Sequence, residues 1–167
     1  LSPGIDRAVF RPAGPRRPRI CYMPRKWPEA AAAVRARLGA AVEWLEIDGM
    51  EEAAVAEAMA GSTIFLNFGR AEGLGLPPLE AMAAGLPVVA PAVGDIADMV
   101  SEANAEFIAP PGNEEELRMA LVQLAVSKDL RREVGEANRA KAVAQFDEAK
   151  MVATYRRLYS SAMGLEL

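Results

Sequence analysis

The chain has 167 residues, 51% hydrophobic and 25% charged, and a formal net charge of −4 at pH 7. That suits one globular α/β domain with a full core and excludes two large ones. The negative balance gives no support for nucleic-acid binding. The longest apolar stretches, such as Leu86 to Val93, are strand-sized and contain prolines, so none nears the roughly 20 residues that span a bilayer.

Residues 1–18 are predicted to be an extended connector, with prolines at 3, 12, 15 and 18 and glycines at 4 and 14 against regular structure. The opening Leu-Ser-Pro-Gly-Ile-Asp has neither the basic nor the apolar region of a signal peptide. It does not begin with Met, so the expectation is a piece of a longer protein. Residues 19–167 are expected to form the domain. Arg19 to Met23 reads as a strand ended by Pro24, Trp27 to Leu38 as an Ala-rich helix stopped by Gly39, and Val42 to Ile47 as a second strand. After the Asp48-Gly49 turn, Glu51 to Ala60 reads as a helix closed by Gly61. Thr63 to Asn67 is continuous and apolar enough for a strand buried on both faces.

A glycine-rich loop follows. Pro77 and Pro78 then set a helix start, where a missing N–H is tolerated, and Gly85 ends that helix. Pro87 to Ala90 is the next strand. Gly94-Asp95 is predicted to start a helix running to about Glu102, and Glu106 to Ala109 a fifth strand. Asn113 is a good N-cap for Glu114 to Val126, whose first turn holds three glutamates that favour the helix dipole. Two more helices are expected over Asp129 to Gln145 and Asp147 to Ala162. Met151, Val152, Tyr155, Leu158 and Tyr159 form an apolar face on the last at helical spacing, one that would promote dimer formation if left uncovered.

Short strands alternating with helices argue for a parallel sheet covered on both faces, a Rossmann-like doubly wound α/β domain. Ligands in such sheets bind outside the carboxyl ends of the strands. The loops to search are therefore Pro24 to Trp27, Asp48 to Met50, Phe68 to Leu76 and Pro91 to Gly94. There is one cysteine, Cys21, and no histidine. That excludes an internal disulfide and any mechanism that takes a histidine from this chain. Carboxylates, backbone amides, Arg and Lys are left to carry chemistry.

Gly69, Gly73 and Gly75 permit close backbone approach ahead of a helix N-terminus, an arrangement that suits a diphosphate and also an ordinary connection. Glu72 and Glu80 stand with seven residues between them. A carboxylate repels phosphate, so each suits hydroxyl groups of a sugar or ribose, or else plain solvent exposure. Arg25 and Lys26, after the first strand, are positioned to neutralise a diphosphate or simply to face solvent. Arg70 competes for that role but lies close to Glu72 in sequence. Asp95 and Asp98 read as a solvated acidic face. Met50 would border a flat base or belong to the core.

The run Glu72-Gly-Leu-Gly-Leu-Pro-Pro-Leu-Glu80-Ala-Met-Ala-Ala-Gly-Leu-Pro-Val-Val-Ala closely resembles the Glu-x7-Glu signature of retaining GT-B glycosyltransferases, best the group 1 or family 4 class. Ser62-Thr-Ile-Phe-Leu-Asn resembles the strand before that signature. Gly94-Asp-Ile-Ala-Asp-Met-Val resembles a Gly-x-x-Glu-x-Val segment, with Asp98 in place of Glu and one residue more after Gly94. Pro110-Pro-Gly-Asn-Glu-Glu-Glu-Leu resembles the entry to the next helix, and Pro3-Gly-Ile-Asp-Arg-Ala-Val-Phe the linker between the two GT-B halves. The matches run in order over nearly the whole chain.

The resemblance implies the C-terminal, donor-binding half of such an enzyme, with an acceptor-binding N-terminal domain elsewhere. It implies transfer of a sugar from a nucleotide-diphospho-sugar to an acceptor hydroxyl with retention. The donor is then a substrate, with no cofactor or metal, and the isolated chain is expected to bind nucleotide without turnover. Glu80 would bind the ribose hydroxyls, and Glu72 would lie against the donor sugar. The amides of Gly73, Leu74, Gly75 and Leu76 would approach sugar and diphosphate. The family's Gly-Arg-x-x-x-x-Lys-Gly pattern is absent; Tyr22-Met-Pro-Arg25-Lys26-Trp-Pro stands in that region. A non-catalytic nucleotide-binding relative and a sugar-nucleotide epimerase remain alternatives. A cytoplasmic location is implied, with the full-length protein's association with the inner membrane face left open.

Overall fold

The computed structural model describes residues 4–24, 27–68 and 75–164. Five parallel strands form one sheet: β1 (Arg19–Tyr22), β2 (Glu43–Glu46), β3 (Ile64–Leu66), β4 (Val88–Pro91) and β5 (Ile108–Ala109), in the order β2-β1-β3-β4-β5. The helices are α1 (Pro28–Leu38), α2 (Glu52–Ala60), α3 (Leu76–Ala83), α4 (Ile96–Met99), α5 (Glu114–Val126), α6 (Lys128–Gln145) and α7 (Glu148–Met163). The predicted doubly wound Rossmann-like α/β class is the fold observed.

The central strands bury both faces, and their side chains alternate with period two. Cys21, Phe65, Val88 and Ala90 point to a core shared with Met59 of α2, Leu79 and Met82 of α3, and Ile96 and Met99 of α4. Ile20, Tyr22, Ile64, Leu66 and Val89 point to the other, with Val34 of α1 and Leu117, Leu121 and Leu124 of α5. Each such aliphatic side chain contributes about 1.5–3 kcal/mol by leaving water. Long α6 serves both cores, through Ala142 on one and Val134 on the other.

Punctuation residues act as their chemistry dictates. Asn113, Ser127 and Asp147 cap α5, α6 and α7 by accepting from the N–H of Glu116, Leu130 and Lys150. Gly85 adopts φ +78° after α3. Its N–H bonds the Met82 carbonyl, and the N–H of Leu86 bonds that of Ala81, the paired bonds of a Schellman turn. α6 crosses this turn so closely that a Cβ on Gly135 would overlap the Gly85 carbonyl oxygen.

Two elements differ from expectation. The helix expected from Gly94 to about Glu102 stops at Met99, and a 3-10 turn covers Glu102–Phe107. Tertiary bonds break it. The Ser101 N–H donates to the Asn138 side chain, and Lys141 Nζ donates to the Asp98 and Val100 carbonyls at 2.6 and 2.8 Å. The fifth strand accordingly shrinks to Ile108–Ala109.

Residues 4–18 lack regular structure, apart from a parallel bridge of Ile5 with Asp147. They are nonetheless packed: Ile5 and Phe10 are buried. Arg16 donates to the Ser62 and Ala84 carbonyls, and Arg139 ties the Phe10 carbonyl to that of Ala83. On α7, Val152, Tyr155, Leu158 and Tyr159 are exposed, while Met151 is half-buried. No helix among the described residues is long and apolar enough to cross a membrane.

Candidate donor-binding site

All five strands run the same way, so their carboxyl ends share one edge. The chain passes from β1 outward to β2 and returns to β3 on β1's other side. This reversal opens a crevice between the loops after β1 and β3, where ligands bind in such sheets. The last residues of those strands, Tyr22 and Leu66, are paired in register, so the two loops depart side by side. Arg25 and Lys26 belong to the first loop and Glu72, Gly73 and Leu74 to the second; all five lie outside the described residues, as does Arg70.

The second loop delivers α3 to the edge. Gly75 is its N-cap, with φ −72° and ψ 129°, and no side chain caps the helix. Leu76 opens the helix and is 49% exposed. Pro77 and Pro78 come next and carry no N–H. Two of the first-turn donors are therefore missing, and Leu76 is the one residue of the first three of α3 that keeps its N–H.

Glu80 lies one turn into α3, half-buried at the same edge. Burial first, and the charge of Glu52 second, push its carboxyl up to about 7. No hydrogen-bond donor among the described residues meets its side chain. A half-buried carboxylate without donors is costly in the free protein, and its cost is relieved by any ligand that brings hydroxyl groups.

Glu52 is the residue that pattern reading passed over. It opens α2, directly after the β2 loop, and its charge adds to the upward shift of Glu80. The available signal was its place in the first turn of the helix that leaves the same sheet edge. Met50 precedes it in the loop and is 38% exposed. It is outside the helix and outside the core, which leaves it open to a flat ligand surface. Asp95 and Asp98 are exposed, as expected for a solvated face.

A polar cluster braces the ends of β1 and β2. The buried Tyr22 hydroxyl donates to Glu46 Oε1 at 2.6 Å, and Arg35 of α1 donates to both. The Arg35 guanidinium lies 5.7 Å from the ring centroids of Tyr22 and Trp44. Burial and the Glu46 bond push the Tyr22 phenol up to about 12, so it stays protonated and keeps donating to Glu46.

Comparison with known proteins supplies an independent line. The family model described as glycosyl transferases group 1 matches residues 13–127. The N-acetyl-alpha-D-glucosaminyl L-malate synthase of Bacillus anthracis is 31% identical over 105 residues, which span 63% of this chain and 28% of that protein. A sulfoquinovosyl transferase of Arabidopsis thaliana is 35% identical over 88 residues, 51% of this chain and 17% of that protein. The chain thus spans less than a third of either relative. Among solved structures, a sucrose-phosphate synthase from Thermosynechococcus elongatus superposes with TM-score 0.78 at 21% identity, over 95% of this chain and 52% of that one. Anabaena HepE, solved in complex with UDP-glucose, superposes with TM-score 0.72 at 17% identity, over 95% and 56%. At these identities the superpositions establish the shared fold.

Proposed function

Because the chain belongs to the glycosyl transferases group 1 family, whose model matches more than half of it, we propose that it is the donor-binding domain of a retaining glycosyltransferase using a nucleotide-diphospho-sugar. The observation that carries this reading is Glu80: half-buried, without a donor among the described residues, at the sheet edge where a nucleotide would lie. Its carboxylate accepts the ribose hydroxyls in charge-assisted bonds, each worth about 1.5–3 kcal/mol. Met50 borders the base. The amides of Gly73, Leu74, Gly75 and Leu76 face the diphosphate and sugar. Glu72 lies against the donor sugar, and Arg25 and Lys26 stabilise the departing diphosphate. The complex of HepE with UDP-glucose supports a nucleotide-sugar ligand for this fold.

The bond from the anomeric carbon to the diphosphate breaks and leaves an oxocarbenium-like sugar, and the acceptor hydroxyl bonds to that carbon on the face the diphosphate vacated, giving its proton to the departing diphosphate. The acceptor is bound by a further, N-terminal domain of the full-length protein, so this chain alone binds donor and does not turn over. Titration with UDP, GDP and ADP tests the reading. At least one is expected to bind, and Glu80→Ala to weaken it about tenfold or more. No binding up to millimolar concentration, or binding indifferent to Glu80→Ala, refutes it. In the full-length protein, transfer of labelled sugar that survives Glu72→Ala would remove the role given to Glu72. Epimerisation of the donor without an acceptor would favour a sugar-nucleotide epimerase instead.

A further inference from the structure

A second concavity lies between segment 8–19 and α2, reaching along the helix from Gly61 to Ala53. It encloses about 630 Å³ and is lined on one side by Arg11, Arg17 and Arg19 and on the other by Ala56, Glu57 and Ala60. None of Met50, Gly75, Leu76 or Glu80 contributes to it. Its volume suits a metabolite of nucleotide or sugar-phosphate size.

Its charge stands against the rest of the chain. Residues 7–19 hold five arginines and no acidic residue, in a protein of net charge −4. The groove's guanidinium groups are not matched by carboxylates. Arg11 has no ion-pair partner among the described residues. Among the described residues the Arg19 side chain donates only to the neutral Ser62 hydroxyl, at 3.1 Å. Arg17 reaches Glu43 at 3.8 Å, with both side chains largely in solvent, which contributes little. Glu57 shares the groove yet pairs with none of the three. Arg11, together with Arg7, also acts on the half-buried Arg139, whose pKa burial and these like charges lower. Three guanidinium groups lining one concavity form a ready receptor for a multivalent anion.

The geometry points to a second, donor-independent site for a small soluble phosphorylated molecule in this groove. Arg11 and Arg17 grip its phosphate oxygens, Arg19 lies at the floor, and the alanine face of α2 takes the uncharged part. A soluble ligand fits better than a membrane surface. The arginines line a concavity, and the apolar lining is alanine, valine and proline, without the large apolar side chains that enter a bilayer interface.

The test is calorimetric titration of the chain with inorganic pyrophosphate at low ionic strength, alone and with saturating UDP. One saturable site is expected to persist under UDP and to weaken about tenfold or more in Arg11→Ala/Arg17→Ala. Both residues are exposed, so melting and UDP binding should be unchanged in that variant. Glu80→Gln should leave the site intact. Pyrophosphate binding that UDP abolishes, that never saturates, or that survives the double substitution overturns the proposal. So does Arg11- and Arg17-dependent sedimentation with phosphatidylglycerol vesicles without saturable pyrophosphate binding, which would make the groove a membrane contact. If UDP fails to bind at all, the donor reading falls and the arginine-dependence of pyrophosphate binding still decides this one.

Discussion

Glu80 concentrates the chemistry of the described edge in one carboxyl group. Its pKa rises from 4.5 to about 7 on folding, so the folded chain retains a proton that the unfolded chain releases. The stability this contributes is full below about pH 4.5 and is lost as pH climbs through 7. Glu80→Gln does not titrate. Its stability relative to wild type is therefore expected to improve between about pH 5 and 8, read from denaturant unfolding at each pH. A difference that stays flat over that range would contradict the assigned environment. Ligand binding follows the same proton. Ribose hydroxyls need the ionised form as acceptor, so wild-type UDP affinity should fall from about pH 8 to 6 more steeply than that of Glu80→Gln, with proton release on binding. The variant serves as the control for the titration of UDP itself. Sequence reading reached Glu80 through its spacing from Glu72, but its burial and the field of Glu52 arise only on folding.

At the scale of elements, α6 is a clamp on the amino-terminal start of β4 and the turn that ends α3. Asn138 is fully buried. It accepts from the Ser101 N–H at 3.1 Å and donates to the Leu86 carbonyl and Asn104 Oδ1 at 2.9 and 2.8 Å. Asn104 in turn pairs with both backbone groups of Val88 in β4. Asn138→Ala leaves several of these groups buried without partners and is expected to cost about 2–4 kcal/mol, measured by urea unfolding. A loss under about 1 kcal/mol would mean that water replaces the amide. Gly135 is the companion feature. Alanine favours a helix over glycine by about 1 kcal/mol, yet the added methyl meets the Gly85 carbonyl oxygen. Gly135→Ala should therefore destabilise by about 1–3 kcal/mol and lower the melting temperature. This is also why α4 is shorter than its sequence suggests: no residue from Val100 to Glu102 is a strong breaker, and the competing bonds come from α6.

For the whole molecule, residues 4–18 behave as part of the domain. Phe10 is 3% exposed within the core beneath α3 and α6, and Ile5 bonds the backbone at both Phe146 and Glu148. Phe10→Ala is expected to cost about 3 kcal/mol, checked by thermal unfolding; a change within experimental scatter would make this segment a free tether. The exposed Val152, Tyr155, Leu158 and Tyr159 of α7 leave an uncovered apolar face at the opposite terminus.

Most elements of this protein were legible locally. Proline and glycine constrain their own backbone wherever they stand, so Pro77, Pro78 and Gly85 bound α3 without help from the fold. Three consecutive buried residues, Ile64 to Leu66, show as a strand covered on both faces because each face must find apolar cover. What only the tertiary structure decided concerns groups whose state depends on distant neighbours. The raised pKa of Glu80, the early stop of α4 and the packing of residues 4–18 all follow from contacts between residues far apart in the chain. So does the collection of Arg11, Arg17 and Arg19 against the α2 face. Backbone preference is a local property; burial, charge coupling and competing hydrogen bonds are set by whatever folding brings alongside.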